Sequence, residues 1–267
     1  MPIFHLVILA LIQGVTEFLP VSSSGHLALY PLLGGAADQG LAIDVAVHVG
    51  TLVAVIAYFR DDVAFAIRGG FRLLGGDFKS AEAQLALLLV VATIPVVIAG
   101  LVLSAMGWTG ALRSLPVIGW ATIIGGALLW VFDRGADGDG RAEDWRMKHA
   151  VAMGAAQALA LIPGMSRSGV TITAARALGY ARVDAARLSM LMSIPTIIAA
   201  GALIGLDLAR AGDAALGLDA AIAAALSCVA ALAAITLFMR MMKRWTMTPF
   251  VLYRLALGAA VLAYAYA

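Results

Sequence analysis

Six apolar runs, at roughly 44–59, 84–106, 115–132, 188–206, 219–239 and 249–266, constrain this chain more than any other feature. Most are long enough to cross a hydrocarbon core of about 30 Å as helices of about 20 residues. With 63% hydrophobic and 13% charged residues and a mean hydropathy of +0.97, the 267-residue chain lies well outside the range of soluble domains. The expected class is an all-α polytopic membrane protein forming one integral membrane domain over 1–267. Its 28 glycines and abundant alanine suit helices packed in lipid, where small residues let backbones approach. The first residues carry no Lys or Arg, so a cleaved signal peptide is not expected. A single cysteine, Cys228, excludes an internal disulfide and reads as packing. Nucleic acid is not expected as a partner; the bilayer is, and a second copy of the chain stays open.

Two stretches break the apolar pattern. "QGVTEFLPVSSSGH" at 13–26 and "QALALIPGMSRSGVT" at 157–171 put ionisable and hydroxyl side chains, prolines and glycines between apolar flanks. Each could be the centre of a kinked full-length span or the turn of a hairpin that enters and leaves on one side. Irregular backbone at that depth is tolerated only when it is buried in protein or lines a wet cavity. The positive-inside rule separates the options. If both stretches cross, the loops divide the Lys and Arg nine to seven, which is no bias. If both are re-entrant, the loops at 60–83, 134–148, 176–187 and 240–248 share fourteen, and only Arg113 and Arg210 remain opposite.

The expectation is therefore six transmembrane helices plus two re-entrant helical hairpins, about 3–33 and 147–178. Both termini and the first hairpin's entry then lie outside, and the second hairpin rises from the cytoplasm. A constant offset of 144 residues relates Gln13, Ser22, Ser24 and Gly25 to Gln157, Ser166, Ser168 and Gly169. The halves, about 1–133 and 147–267, then form an inverted-topology repeat of the kind found in transporters.

The polar centres carry the chemistry. New helices expected near Ser22 and Ser166 would aim two N-termini, with their free N–H groups, at one place, a natural cradle for phosphate. Arg167 adds a permanent, forked cation, and the hydroxyls of Ser22, Ser23, Ser24, Ser166, Ser168, Thr171 and Thr173 add donors. Ser23 and His26 are three apart, a spacing that lets an imidazole take a proton from a serine or a water. Gln13 and Glu17, four apart, either orient His26 or help hold a divalent cation. Against these stand plainer readings: serines that cap helices, and a Glu17–Arg167 ion pair that merely links the hairpins. His5 and His48 have no polar company in the sequence and are assigned no role.

The two stretches together closely resemble the undecaprenyl pyrophosphate phosphatase family of bacterial membranes, the bacitracin-resistance family. The first family motif is matched by Gln13, Glu17, Pro20, Ser22, Ser23, Gly25 and His26, and the second by Pro163, Gly164, Ser166, Arg167, Ser168 and Thr171. The closing "PFVLYRLALG" also corresponds. The resemblance implies a phosphatase of the inner membrane, opening to the periplasm, that removes the terminal phosphate of a C55 polyprenyl diphosphate and so recycles a cell-wall lipid carrier. It implies catalytic roles for Glu17, Ser23, His26 and Arg167. Gln13, Ser22, Ser24, Gly164, Ser166, Ser168 and Thr171 would bind substrate, and a magnesium or calcium ion would sit near Glu17 and Gln13. Many members carry Glu where this chain has Gln13, which removes one charge from such a metal site. The alternative is an anion or lipid-phosphate transporter using the same broken helices, which would not need Ser23 beside His26.

Overall fold

The computed structural model describes residues 3–34, 41–108, 110–135, 137–211 and 217–267, and these are helical almost throughout. Two short helices open the chain, α1 (Ile3–Thr16) and α2 (Ser23–Gly34), followed by α3 (Leu41–Tyr58), α4 (Arg60–Leu74), α5 (Ala81–Ala105) and α6 (Leu115–Asp133). A second short pair follows, α7 (Met147–Ala158) and α8 (Arg167–Ala177), then α9 (Arg182–Ala211), α10 (Gly217–Met242) and α11 (Thr248–Tyr266). Among the described residues five helices, α5, α6, α9, α10 and α11, are long and apolar enough to cross a membrane, and α3 with α4 raises the number to six. Of the connections expected on the side poor in Lys and Arg, 35–40 and 212–216 lie outside the described residues, and α9 continues to Ala211 where a loop is expected from 207.

The spans are apolar on all faces although much of their surface is not covered by protein. The most apolar stretch of α5 is only 33% buried, and Val90, Ile94, Ile98 and Leu101 point outward from it. A helix that is hydrophobic all round yet exposed belongs in lipid. Its protein-facing side is held by close backbone approach: a Cβ on Gly154 of α7 would strike the backbone of Ala92 on α5. On the other flank α3 packs along α10 and α6 along α11.

The segment 60–83, expected as a loop, contains a helix instead. Residues Arg60, Asp61 and Asp62 stop the apolar run of α3, and the chain bends by 93° into α4. Val63 and Ala66 of α4 pack against the core, while Ile67, Phe71 and Leu74 on its outer side are 56%, 72% and 86% exposed. An amphipathic helix lying across the end of a bundle, with apolar residues exposed, suits the membrane interface.

One buried charge cluster joins the ends of several elements. Asp133, the last residue of α6, accepts from Arg176 Nε of α8 at 2.9 Å and Arg182 Nε of α9 at 2.8 Å. Its second oxygen accepts from the Met247 N–H before α11 at 2.8 Å. Removing one member of such a cluster typically costs about 3–5 kcal/mol, because a buried charge is left unpaired. This staple fixes the far end of α8, whose near end enters the site.

Candidate active site

The helices α2 and α8 begin in the same way. Ser22 and Ser166, just before them, have φ of +74° and +68°, a conformation that costs a non-glycine residue about 1–3 kcal/mol. In return each serine turns its hydroxyl onto the helix start: Gly25 N–H donates to Ser22 Oγ at 3.3 Å, and Gly169 N–H to Ser166 Oγ at 3.1 Å. Ser24 and Ser168 lie 3.4 and 3.2 Å from the same two hydroxyls. The sequence offset of 144 thus relates positions with the same backbone geometry.

The two turns are tied together. Ser168 Oγ of the second donates to Leu19 O of the first at 2.8 Å. Arg254, completely buried on α11, donates to Pro20 O of the first turn (3.3 Å) and to Gly164 O (3.1 Å) and Met165 O (2.9 Å) of the second. Its Nε reaches Thr122 O on α6 at 3.1 Å. Carbonyls alone therefore satisfy this guanidinium, and it clasps both turns from behind. Gly164 has φ +96°, and a Cβ there would meet Ile118 O, so only glycine lets the second turn lie against α6.

Glu17, 7% exposed, is the hub. Its Oε1 accepts from Arg167 Nη2 at 2.7 Å, and its Oε2 accepts from Ser23 Oγ at 2.6 Å and Gln13 Nε2 at 2.9 Å. Ser23 and Arg167 are the first residues of α2 and α8, so each half-helix N-terminus sends one side chain to the same carboxylate. Arg167 Nη1 is buried and finds no acceptor among the described residues. An unpaired guanidinium N–H beside two helix N-termini is suited to an incoming anion.

His26 does not pair with Ser23, contrary to the sequence spacing. Its Nδ1 donates to Ser22 O at 2.7 Å, and its Nε2 meets Tyr253 Oη of α11 at 2.5 Å, the two rings stacked 5.7 Å apart. Helical side chains lean toward the N-terminus of their helix. Ser23 therefore reaches back across the turn to Glu17, while His26 reaches back only to Ser22. The histidine closest to the carboxylate is His48: its Nδ1 donates to Asp44 O at 2.7 Å, leaving Nε2 3.9 Å from Glu17 Oε2. Having polar company after all, His48 joins the site.

A cavity of about 560 Å³ opens onto this centre. Its polar wall includes Glu17, Ser23, Ser24, Ser166, Arg167, Asp44, His48 and Arg113. Its apolar wall includes Val49, Leu52, Leu161, Ile197 and Ile198, of which Val49 and Ile198 are 44% and 52% exposed. The remaining residues named from sequence lie behind this surface. Gln13 and Ser22 support Glu17 and the first turn, and Gly164 and Ser168 hold the turns together. Thr171 shares its hydroxyl with Ser189 of α9 at 2.6 Å, and His26 faces Tyr253. Sequence reading gave no site role to His48, Asp44, Arg113, Tyr253 or Arg254, which the structure places on or behind the cavity wall.

The fold and the site together define a polytopic α-helical membrane protein in which a serine, a carboxylate and an arginine converge at the starts of two short helices. The family model for bacitracin resistance protein BacA matches residues 6–260, and the chain belongs to that family. It is 55% identical to the undecaprenyl-diphosphatase of Dinoroseobacter shibae over 266 residues, and 56% identical to that of Jannaschia sp. over 267, with all of each chain covered. Undecaprenyl-diphosphatase 1 of Rhodospirillum rubrum is 48% identical, over all of this chain and 96% of its own.

Proposed function

We propose that this chain hydrolyses undecaprenyl diphosphate to the monophosphate and phosphate, recycling the lipid carrier of cell-wall synthesis. Full-length relatives bearing that enzyme's name support the reading. The observation that carries it is the 2.6 Å hydrogen bond from Ser23 Oγ to Glu17, with Arg167 held on the other carboxylate oxygen. A lipid diphosphate needs a charged cradle inside an apolar wall, and the cavity has both. The outward-facing Val49 and Ile198 mark where its prenyl tail continues into the bilayer.

In the proposed reaction Ser23 Oγ attacks the terminal phosphorus while its proton passes to Glu17. The bond from that phosphorus to the bridging oxygen breaks, and polyprenyl monophosphate leaves. Water then attacks the phosphoserine and loses a proton to solvent, the phosphorus–Oγ bond breaks, and Glu17 returns its proton to Ser23 Oγ. The free Nη1 of Arg167 and the N-termini of α2 and α8 stabilise the charge spreading over the phosphoryl oxygens. His26, held between Ser22 O and Tyr253, fixes the turn that presents Ser23.

A divalent cation, magnesium or calcium, fits this site as a companion of the diphosphate. Among the described residues no three His, Cys, Asp or Glu side chains converge as a cage, and Glu17 with His48 offers only part of a donor set. Magnesium is commonly held in this way, by one or two carboxylates plus substrate phosphates, and would neutralise phosphoryl charge. Gln13 is assigned no ligand role: its amide N–H faces Glu17, and its buried carbonyl oxygen lies off the cavity wall.

The same proposal includes the membrane arrangement. At 14, 12, 12 and 11 residues, α1, α2, α7 and α8 are each short of the roughly 20 needed to cross, which supports two re-entrant pairs. Arg113, on the side poor in Lys and Arg, lines the cavity, which supports a site open to the periplasm with both termini on that side. Phosphate release from a polyprenyl diphosphate by purified protein, with and without chelator, tests the proposal. No release in excess magnesium or calcium would refute the activity, and full release in chelator would refute the cation.

A further inference from the structure

A second cavity, of about 620 Å³, lies away from Glu17, bounded by α4, α5, the segment before α7 and α9. Asp61, Asp62, Glu143 and Arg187 line it, so its wall carries three carboxylates against one guanidinium. The guanidinium is already engaged: Arg187 donates to Asp62 Oδ1 at 2.5 Å and to Glu143 Oε1 at 2.7 Å. Hydrogen bonding at its own backbone N–H and the Arg187 guanidinium hold the Glu143 carboxyl below the usual carboxylate range, so it is ionised at neutral pH. Asp61 is exposed, and Arg60 pairs with it at 3.9 Å. Arg187 pairs with Asp62 and Glu143 and Arg60 with Asp61, so three carboxylates face two guanidiniums in and beside this wall.

A second observation is independent of that charge. Trp145, 6% exposed, lines the same cavity, and its indole N–H finds no acceptor among the described residues. A buried donor without a partner is costly, and a ligand oxygen would satisfy it. The other walls, including Leu85, Leu88, Leu188 and Leu191, are apolar. The cavity's place in the membrane follows from α4, which carries Asp61 and Asp62 and exposes Ile67, Phe71 and Leu74 on its outer side. A helix of that kind rests at the level of lipid headgroups, so the opening beside it does too.

A cationic N–H donor, an acceptor oxygen and a hydrocarbon body are thus required together, at headgroup depth. We propose that this cavity binds an aminophospholipid. The ammonium of its phosphoethanolamine headgroup meets Asp61 and Glu143, a phosphate or ester oxygen accepts from Trp145, and the acyl chains follow the leucine wall. A choline headgroup has no N–H to donate, and a headgroup with net negative charge meets the carboxylates unfavourably.

The test is lipid retention by the purified full-length chain. The protein is equilibrated with equal amounts of phosphatidylethanolamine, phosphatidylcholine and phosphatidylglycerol, then delipidated in steps and analysed by native mass spectrometry. The wild type should retain phosphatidylethanolamine about tenfold over the other two, a preference of about 1.4 kcal/mol. Trp145→Phe should retain all three lipids several-fold less, with the preference among them kept, and should keep its phosphate-releasing activity on a detergent-dispersed substrate. The exposed pair Asp61→Asn and Glu143→Gln provides a second variant that does not disturb the buried indole, and it should lose the preference. Equal retention of the three lipids by the wild type would overturn the proposal, as would an undiminished preference in the double variant.

Discussion

Ser23 and Arg167 occupy equivalent positions in the two broken helices, 144 residues apart, and bond opposite oxygens of Glu17, at 2.6 and 2.7 Å. The pairing is symmetric in backbone and asymmetric in chemistry. One half supplies a serine hydroxyl with its acceptor, and the other supplies a cation. The position equivalent to Glu17 in the second half is Leu161, and the one equivalent to His26 is Val170, so a single carboxylate serves both helix ends.

Replacement of Arg167 by lysine should not restore activity. Its Nη2 holds Glu17 while its Nη1 finds no acceptor among the described residues, and a point charge cannot serve both an acceptor and an incoming anion. Arg167→Ala should lower kcat/KM at least a hundredfold, about 3 kcal/mol of transition-state stabilisation, as for other preorganised donors. Steady-state kinetics on folded protein checks this, and near-normal turnover by either variant would remove Arg167 from the phosphate site.

Glu17→Gln should be more damaging to kcat than His26→Gln. Ser23 donates to Glu17, whereas both ring nitrogens of His26 are engaged with Ser22 and Tyr253. Tyr253→Phe should reproduce the milder loss of His26→Gln, since it removes one end of the same link. If His26→Gln were the more severe of the two, the proton of Ser23 would have to go to the imidazole.

Gly164→Ala should destabilise the second turn. The residue sits at φ +96° with its α-carbon against the Ile118 carbonyl, so strain and collision add. A cost of at least about 1–3 kcal/mol in thermal or denaturant unfolding is expected, with activity lost in parallel. An alanine variant as stable as the wild type would show that the turn can move away from α6.

The membrane arrangement makes a separate prediction. With Cys228→Ser as background, Gly110→Cys should react with an impermeant thiol reagent added outside, and Gly135→Cys only after permeabilisation. Both glycines have open space around the position of a Cβ. Gly138 in the same connection would be a poor probe, because its Cβ would strike Gly179 O. Labelling of Gly135→Cys from outside would invert or break the proposed topology.

Legibility differed between the parts of the site. Glu17, Ser23 and Arg167 stood out because an ionisable group or a run of hydroxyls inside an apolar stretch is costly unless used. His48 and Tyr253 did not, since each lies on a largely apolar helix outside the two motifs and its partner is distant in the chain: Tyr253 is 227 residues from His26. The Ser23–His26 spacing misled because three residues on a helix face share a side only when both side chains leave from inside the helix. Ser23 is the first residue of α2, just after a residue with positive φ, and it turns back toward Glu17. The spans at 84–106 and 115–132 were recovered as α5 and α6 within a few residues, because hydrophobic length alone defines them. The helix α4 is hard to see in the sequence because Arg60, Asp61, Asp62, Arg68 and Arg72 interrupt the helical spacing of Val63, Ala66, Ile67 and Phe71.

The central claim is that Ser23 attacks a lipid diphosphate, and the most direct measurement compares phosphate release by purified wild type and Ser23→Ala at saturating polyprenyl diphosphate. The wild type should release one phosphate per lipid, leaving the monophosphate. Ser23→Ala should bind the lipid but turn over far below a tenth of the wild-type rate. A variant that keeps more than about a tenth, a loss smaller than 1.4 kcal/mol, would contradict covalent catalysis and assign the attack to water activated by Glu17.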